Sequence, residues 1–172
     1  MLNVILFAVC FHVALVEQEW KLVKSDDGVV EALLPGEAKD ALEHEDTLAG
    51  RVTTKAKEFR TDDVQFTVSS TVLPKLALRF ASEKRILTST KEGMLKKFYG
   101  KQTSFKAVKI DGTRAVELKY EAVDFEDEEK KYRGVALMAI KKGTLYTANA
   151  IISAESGIED LKKFRESIRF IK

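Results

Sequence analysis

Acyl or phosphoryl transfer would need a nucleophile beside a base, and beyond residue 16 the chain holds one histidine, His44, followed by Glu45 and Asp46. No serine lies in a Gly-x-Ser-x-Gly turn that would present its hydroxyl, so no Ser–His pair is visible and His44 reads as a surface residue. Zinc wants closely spaced Cys or His, and Cys10 and His12 both fall in the first sixteen residues. Asp124, Glu126, Asp127, Glu128 and Glu129 crowd one segment. They lack the glycine and alternating oxygen ligands of a calcium loop, and read as a solvated loop tip. Glu37, Asp40, Glu43, Glu45 and Asp46 have the same character. Glu117 and Glu121 share the polar face of one strand with Lys119 between them. Glycoside hydrolysis needs two carboxyls across a cleft, one desolvated; this pattern fits exposed cross-strand ion pairs better. No catalytic residue, cofactor site or metal site is assigned.

One charge asymmetry stands out. From Lys75 to Lys109 there are 10 basic residues against Glu83 and Glu92, a local excess of 10 − 2 = +8. Lys84, Arg85, Lys91, Lys96 and Lys97 form the candidate partner-binding surface within it, suited to an acidic protein or a membrane surface. The alternative is a solvated helix face. The whole chain carries only +2 and has no glycine-rich phosphate loop, so nucleic acid is not expected.

The elements that would carry these residues begin after an apolar run. Leu2 to Val16 contains no charge and breaks at Glu17-Gln18-Glu19. About fifteen residues of helix rise ~22 Å, short of the roughly 30 Å hydrocarbon core, so residues 1–16 read as signal-peptide-like. No Lys or Arg precedes the run and no clean small-x-small site follows it, which leaves an uncleaved anchor or a buried element as alternatives. Residues 17–172 then form a single domain, placed outside the cytoplasm; if the segment is retained, the protein is membrane-anchored. With 45% apolar and 33% charged residues in 172, one core is expected and no disulfide supports it.

Asp26-Asp27-Gly28 separates two apolar runs, Trp20–Val23 and Val29–Leu34, as a hairpin would. Residues 37–50 read as an acidic connection with a helical turn around Ala38 to Leu42. A looser run, Arg51 to Phe59, and the alternating Val64 to Val72 predict a hairpin turning at Arg60 to Asp63. Val64, Phe66, Val68, Ser70 and Val72 take one face, while Gln65, Thr67, Ser69 and Thr71 take a solvated one. Pro74 to about Tyr99 reads as one long helix with Leu76, Phe80, Leu87, Met94 and Phe98 on a single stripe and a kink near Thr88–Thr90 or Gly93. A β-meander follows: Phe105–Ile110, a turn at Asp111-Gly112-Thr113, Arg114–Val123, a two-sided apolar strand Tyr132–Ile140, and Thr144–Ile152 after Lys141-Lys142-Gly143. A final helix starts near Gly157 with Ser156 and Glu159 at capping-box spacing, its stripe being Ile158, Leu161, Phe164 and Ile168. The fold class is α+β: a predominantly antiparallel sheet of about 6–8 strands flanked by a long central helix and a C-terminal helix. Leu118, Val135, Leu137 and Ile151 should be buried, with Phe80, Leu87, Met94 and Phe98 packed over the sheet.

Trp20, the Asp-Gly turn, Leu33-Leu34-Pro35-Gly36, Arg133-Gly134, Gly143-x-Leu145-Tyr146 and the closing Phe164-x-x-Ser167-Ile168-Arg169-Phe170 together resemble small bacterial exported proteins related to PsbP. The resemblance spans roughly Trp20 to Lys172 and implies an antiparallel sheet between helices. It implies no reaction, because these motifs are structural. The function expected is therefore that of a non-enzymatic binding or accessory domain, a monomer whose partner is an unknown protein or small ligand. A carrier of apolar molecules, with its pocket between helix and sheet, is the first alternative, and a cysteine-free hydrolase using carboxylates the second.

Overall fold

The structure is a computed structural model that describes residues 19–47, 50–124, 127 and 129–171. The apolar N-terminal segment lies outside the described residues. No described helix is long and apolar enough to cross a membrane.

Two sheets and three helices make up the described chain. A hairpin of β1 (Trp20–Lys24) and β2 (Val30–Pro35) takes β10 (Arg169–Phe170) as a third strand. The main sheet has seven strands, all antiparallel, in the order β3-β4-β5-β9-β8-β7-β6. These are β3 (Lys39–Thr47), β4 (Gly50–Arg60), β5 (Val64–Val72), β6 (Gly100–Ile110), β7 (Thr113–Val123), β8 (Lys131–Lys141) and β9 (Thr144–Ser153). Helices α1 (Lys75–Phe80) and α2 (Glu83–Lys97) lie over one face of it, and α3 (Ile158–Ser167) with the small sheet covers the other.

The α3 side holds the larger core. Trp20 meets Phe66 edge-on at 5.7 Å, and Phe66 meets Phe164 in the same way at 5.3 Å. One aromatic chain thus joins the small sheet, the main sheet and α3. The α2 side packs Leu87, Met94, Leu95 and Phe98 onto Leu118, Tyr120, Ala136 and Met138. Leu118, Val135, Leu137 and Ile151 are buried as expected, and β8 is buried on both faces through its middle. The Asp111-Gly112 and Lys142-Gly143 turns have positive φ at both central residues, the twist that a tight hairpin needs.

Four expectations are corrected. The single long helix is two: the chain is extended at Ala81 and Ser82, and the Ser82 hydroxyl accepts the Arg85 N–H to start α2 afresh. The break resets the helical phase. Leu76 and Phe80 therefore leave the stripe and stand exposed, whereas α2 runs unbroken through Thr88–Thr90 and Gly93. Residues 39–47 form edge strand β3, because pairing with β4 supplies what their acidic composition does not. α3 is capped by Gly157 without a side-chain bond, so the Ser156–Glu159 capping box does not form.

Candidate functional site

The alternation in β5 has a consequence the sequence hides. Gln65, Thr67, Ser69 and Thr71 do not face open solvent; they lie under α1 and α2. With Thr54 of β4 and Thr147 and Asn149 of β9, they floor a groove of about 900 Å³ between helices and sheet. That volume falls in the ~300–1,000 Å³ range of small-molecule sites.

The floor carries one carboxylate, Glu58 of β4, and is largely self-satisfied. Thr54 and Thr71 share a hydrogen bond of 2.7 Å between their hydroxyls, and Ser69 donates to the Thr147 carbonyl at 3.3 Å. Gln65 Nε2 donates to Glu58 at 2.9 Å, and Tyr120 donates to Asn149 Oδ1 at 2.9 Å. Thr67 is the exception. Its register neighbours are Glu58 on β4 and Asn149 on β9, yet its Oγ1 is buried with no hydrogen-bond partner among the described residues. A buried hydroxyl left unpaired costs ~1–3 kcal/mol.

The inner wall is apolar: Leu73, Ile86, Met94, Phe98 and Leu145. The mouth is charged on both sides. Arg85, Lys96 and Lys97 come from α2, and Glu43 and Glu45 from β3. Lys97 Nζ reaches Glu43 Oε1 at 3.0 Å, tying the end of α2 to the edge strand across the mouth. Gly93 also lines the groove, and a Cβ there would meet nothing within 4 Å.

The five basic residues of the candidate surface are divided by the helix. Arg85, Lys96 and Lys97 line the groove. Lys91 turns to the other side, where it donates to Gln102 at 3.1 Å and sits 5.1 Å over the Phe105 ring. Lys84 is exposed on the outer side of α2.

Other candidates fall away from the groove. His44 lies on β3 rather than in a loop, on the opposite parity to Glu43 and Glu45, with Nδ1 3.0 Å from Thr53 Oγ1. Of the acidic loop, Glu126 and Glu128 lie outside the described residues, and the Asp127 carboxylate accepts the Glu129 N–H. Glu117 does not belong to an exposed pair. It is buried on the α3 side, with Arg165 Nε at 2.7 Å and Lys106 at 3.4 Å. Burial works to raise its pKa, but these two cations outweigh it and hold the carboxyl below its ordinary value. Glu121 stays exposed. The sequence offered a pocket between helix and sheet, but an apolar one; the polar floor was missed because alternation marks two faces of a strand without saying what covers each, and the density of Ser, Thr, Gln and Asn on β5 and β9 was the available signal.

No protein-family profile matches the chain, and no curated protein matches it in sequence. Its architecture does match solved structures. Cyanobacterial PsbP (CyanoP) from Synechocystis sp. PCC 6803 superposes with a TM-score of 0.57 at 12% identity, over 96% of this chain and 99% of that one. A protein from Bacteroides thetaiotaomicron is similar at a TM-score of 0.46 and 12% identity, over 88% of this chain and 48% of the other. The chain has a PsbP-like fold.

Proposed function

We propose that this chain is a non-enzymatic, extracytoplasmic binding domain that holds a small amphipathic molecule in the groove between α1–α2 and the main sheet. The observation that carries the reading is the unpaired, buried Thr67 hydroxyl on the floor of a 900 Å³ groove. The chemistry around it describes the occupant. An apolar body would rest on Leu73, Ile86, Met94 and Phe98, and a polar group would reach Thr67. An anionic end would meet Arg85 and Lys96 at the mouth. The groove holds hydroxyls and amides but no carboxylate close to Thr67 other than Glu58, already occupied by Gln65, which favours binding over catalysis. Export rests on the apolar, uncharged run at residues 2–16.

The test uses 1-anilinonaphthalene-8-sulfonate, a dye with an aromatic body and one anionic end. Saturable brightening is expected with the folded protein. Gly93→Trp, which fills the groove from a position with open space, should weaken the dye at least ~tenfold while the thermal midpoint holds or rises. Equal dye affinity in Gly93→Trp would place binding elsewhere and remove the reading.

A further inference from the structure

α1 carries two faces with different fates. Ala77 of α1 and the following Ala81 line the groove, whereas Leu76, Leu78 and Phe80 are 54%, 42% and 72% exposed. Val72, just before the helix, is 70% exposed. Large apolar side chains grouped on one short element, and not buried by the protein's own core, mark an interaction surface.

Charge identifies the partner. Within 75–85 the basic residues are Lys75, Arg79, Lys84 and Arg85, and the one acid is Glu83. The β8–β9 turn adds to them. Leu73 N–H donates to the Gly143 carbonyl at 3.0 Å, and a Cβ on Gly143 would lie 3.1 Å from Leu78 Cδ1, so the turn bearing Lys142 is packed against α1. Arg79 lies 5.5 Å over the Phe80 ring, its cation beside the most exposed apolar group. Aromatic and aliphatic side chains ringed by cations fit one surface well. The apolar groups enter the acyl boundary while Lys and Arg stay among anionic headgroups.

We infer that α1, with the adjoining β8–β9 turn, is a docking surface for an anionic lipid bilayer. The surface is independent of residues 1–16 and shares Arg85 with the groove mouth. Its geometry is polar in the sense of direction: β5 runs from the Arg60–Asp63 end to α1, so the β4–β5 turn points away from the bilayer when α1 touches it.

A local reporter tests this in the full chain, where the apolar N-terminal segment could itself partition. In a Cys10→Ser background, Phe80→Cys is labelled with a nitrobenzoxadiazole fluorophore; Asp62→Cys, in the β4–β5 turn, is the control. Vesicles of phosphatidylcholine with phosphatidylglycerol should brighten and blue-shift the label at position 80 and leave that at 62 unchanged. Pure phosphatidylcholine should have little effect. Each basic side chain removed should weaken the response about fivefold, so Arg79→Glu with Lys84→Glu and Arg85→Glu should abolish it. Identical responses at 80 and 62, or no dependence on phosphatidylglycerol, would overturn the inference. So would brightening that grows with protein concentration without vesicles, which would assign the face to a second copy of the chain. The groove reading is untouched by any of these outcomes, since dye binding to Gly93→Trp is measured without lipid.

Discussion

The Tyr146 hydroxyl donates to Asp27 Oδ2 at 2.6 Å, linking β9 of the main sheet to the turn between β1 and β2 across 119 residues. The same carboxylate accepts from the Ser25 hydroxyl at 2.7 Å and from the Val29 N–H. Burial works to raise the Asp27 pKa, but these donors outweigh it and hold the carboxyl below its ordinary value. Burial, reinforced by the bond to Asp27, pushes Tyr146 up to about 12. One contact therefore orders a turn, and ties the small sheet to the large one.

Tyr146→Phe should cost ~1.5–3 kcal/mol at neutral pH, as loss of a hydrogen bond to a charged group does. The sign with pH follows from the raised phenol. Folding favours its neutral form, so its contribution is complete below the ordinary pKa of 10 and fades as pH rises toward about 12. Urea melts of the two proteins should converge over that window. A constant gap between them from pH 9 to pH 12 would show that the proton on Tyr146 is irrelevant to the contact.

Gly134 sits directly beneath the Tyr120 ring, where a Cβ would come within 2.1 Å of a ring carbon. The ring is sandwiched against Phe98 at 6.1 Å and held by its bond to Asn149. Gly134→Ala should thus displace the ring and destabilise by about 3 kcal/mol, the upper end of ordinary overpacking. Tyr120→Leu in the same chain should return part of that loss by emptying the space. Wild-type stability in Gly134→Ala would mean that the ring moves aside freely.

Arg165→Ala leaves Glu117 buried with Lys106 as its remaining cation. The expected loss is ~1.5–3 kcal/mol at pH 7. In the wild type the Glu117 carboxyl is depressed, so its contribution is present above the ordinary value of 4.5 and is lost as pH falls through the lower folded value. The variant should unfold at higher pH on acidification. Superimposable acid titrations, followed by circular dichroism, would remove Glu117 from the account.

Legibility in the sequence tracked how local the cause was. The β4–β5 and β6–β7 hairpins were visible because period-two alternation and Asp111-Gly112 act over a few residues. β3 was not, since Lys39–Thr47 is exposed along nearly its whole length and is a strand because β4 offers hydrogen bonds beside it. The helix break was hidden for the converse reason. An apolar period ran straight through Ala81–Ser82, and the Ser82 cap gives no warning unless the stripe is allowed to stop. Glu117 and Glu121 share strand parity, yet Arg165 comes from 48 residues away to cover one and not the other. Polar residues on β5 announced a face but not its roof.

The strand order has a kinetic meaning as well as a geometric one. β3, β4 and β5 form one meander and β6 to β9 another. The two meet at a single seam, where Val64 to Val72 pairs with Ile152 to Thr144. Loop-closure entropy grows slowly with length and must be overcome before distant contacts repay it. In this sheet that search is confined to one encounter, between halves whose own registers are already set by adjacent residues.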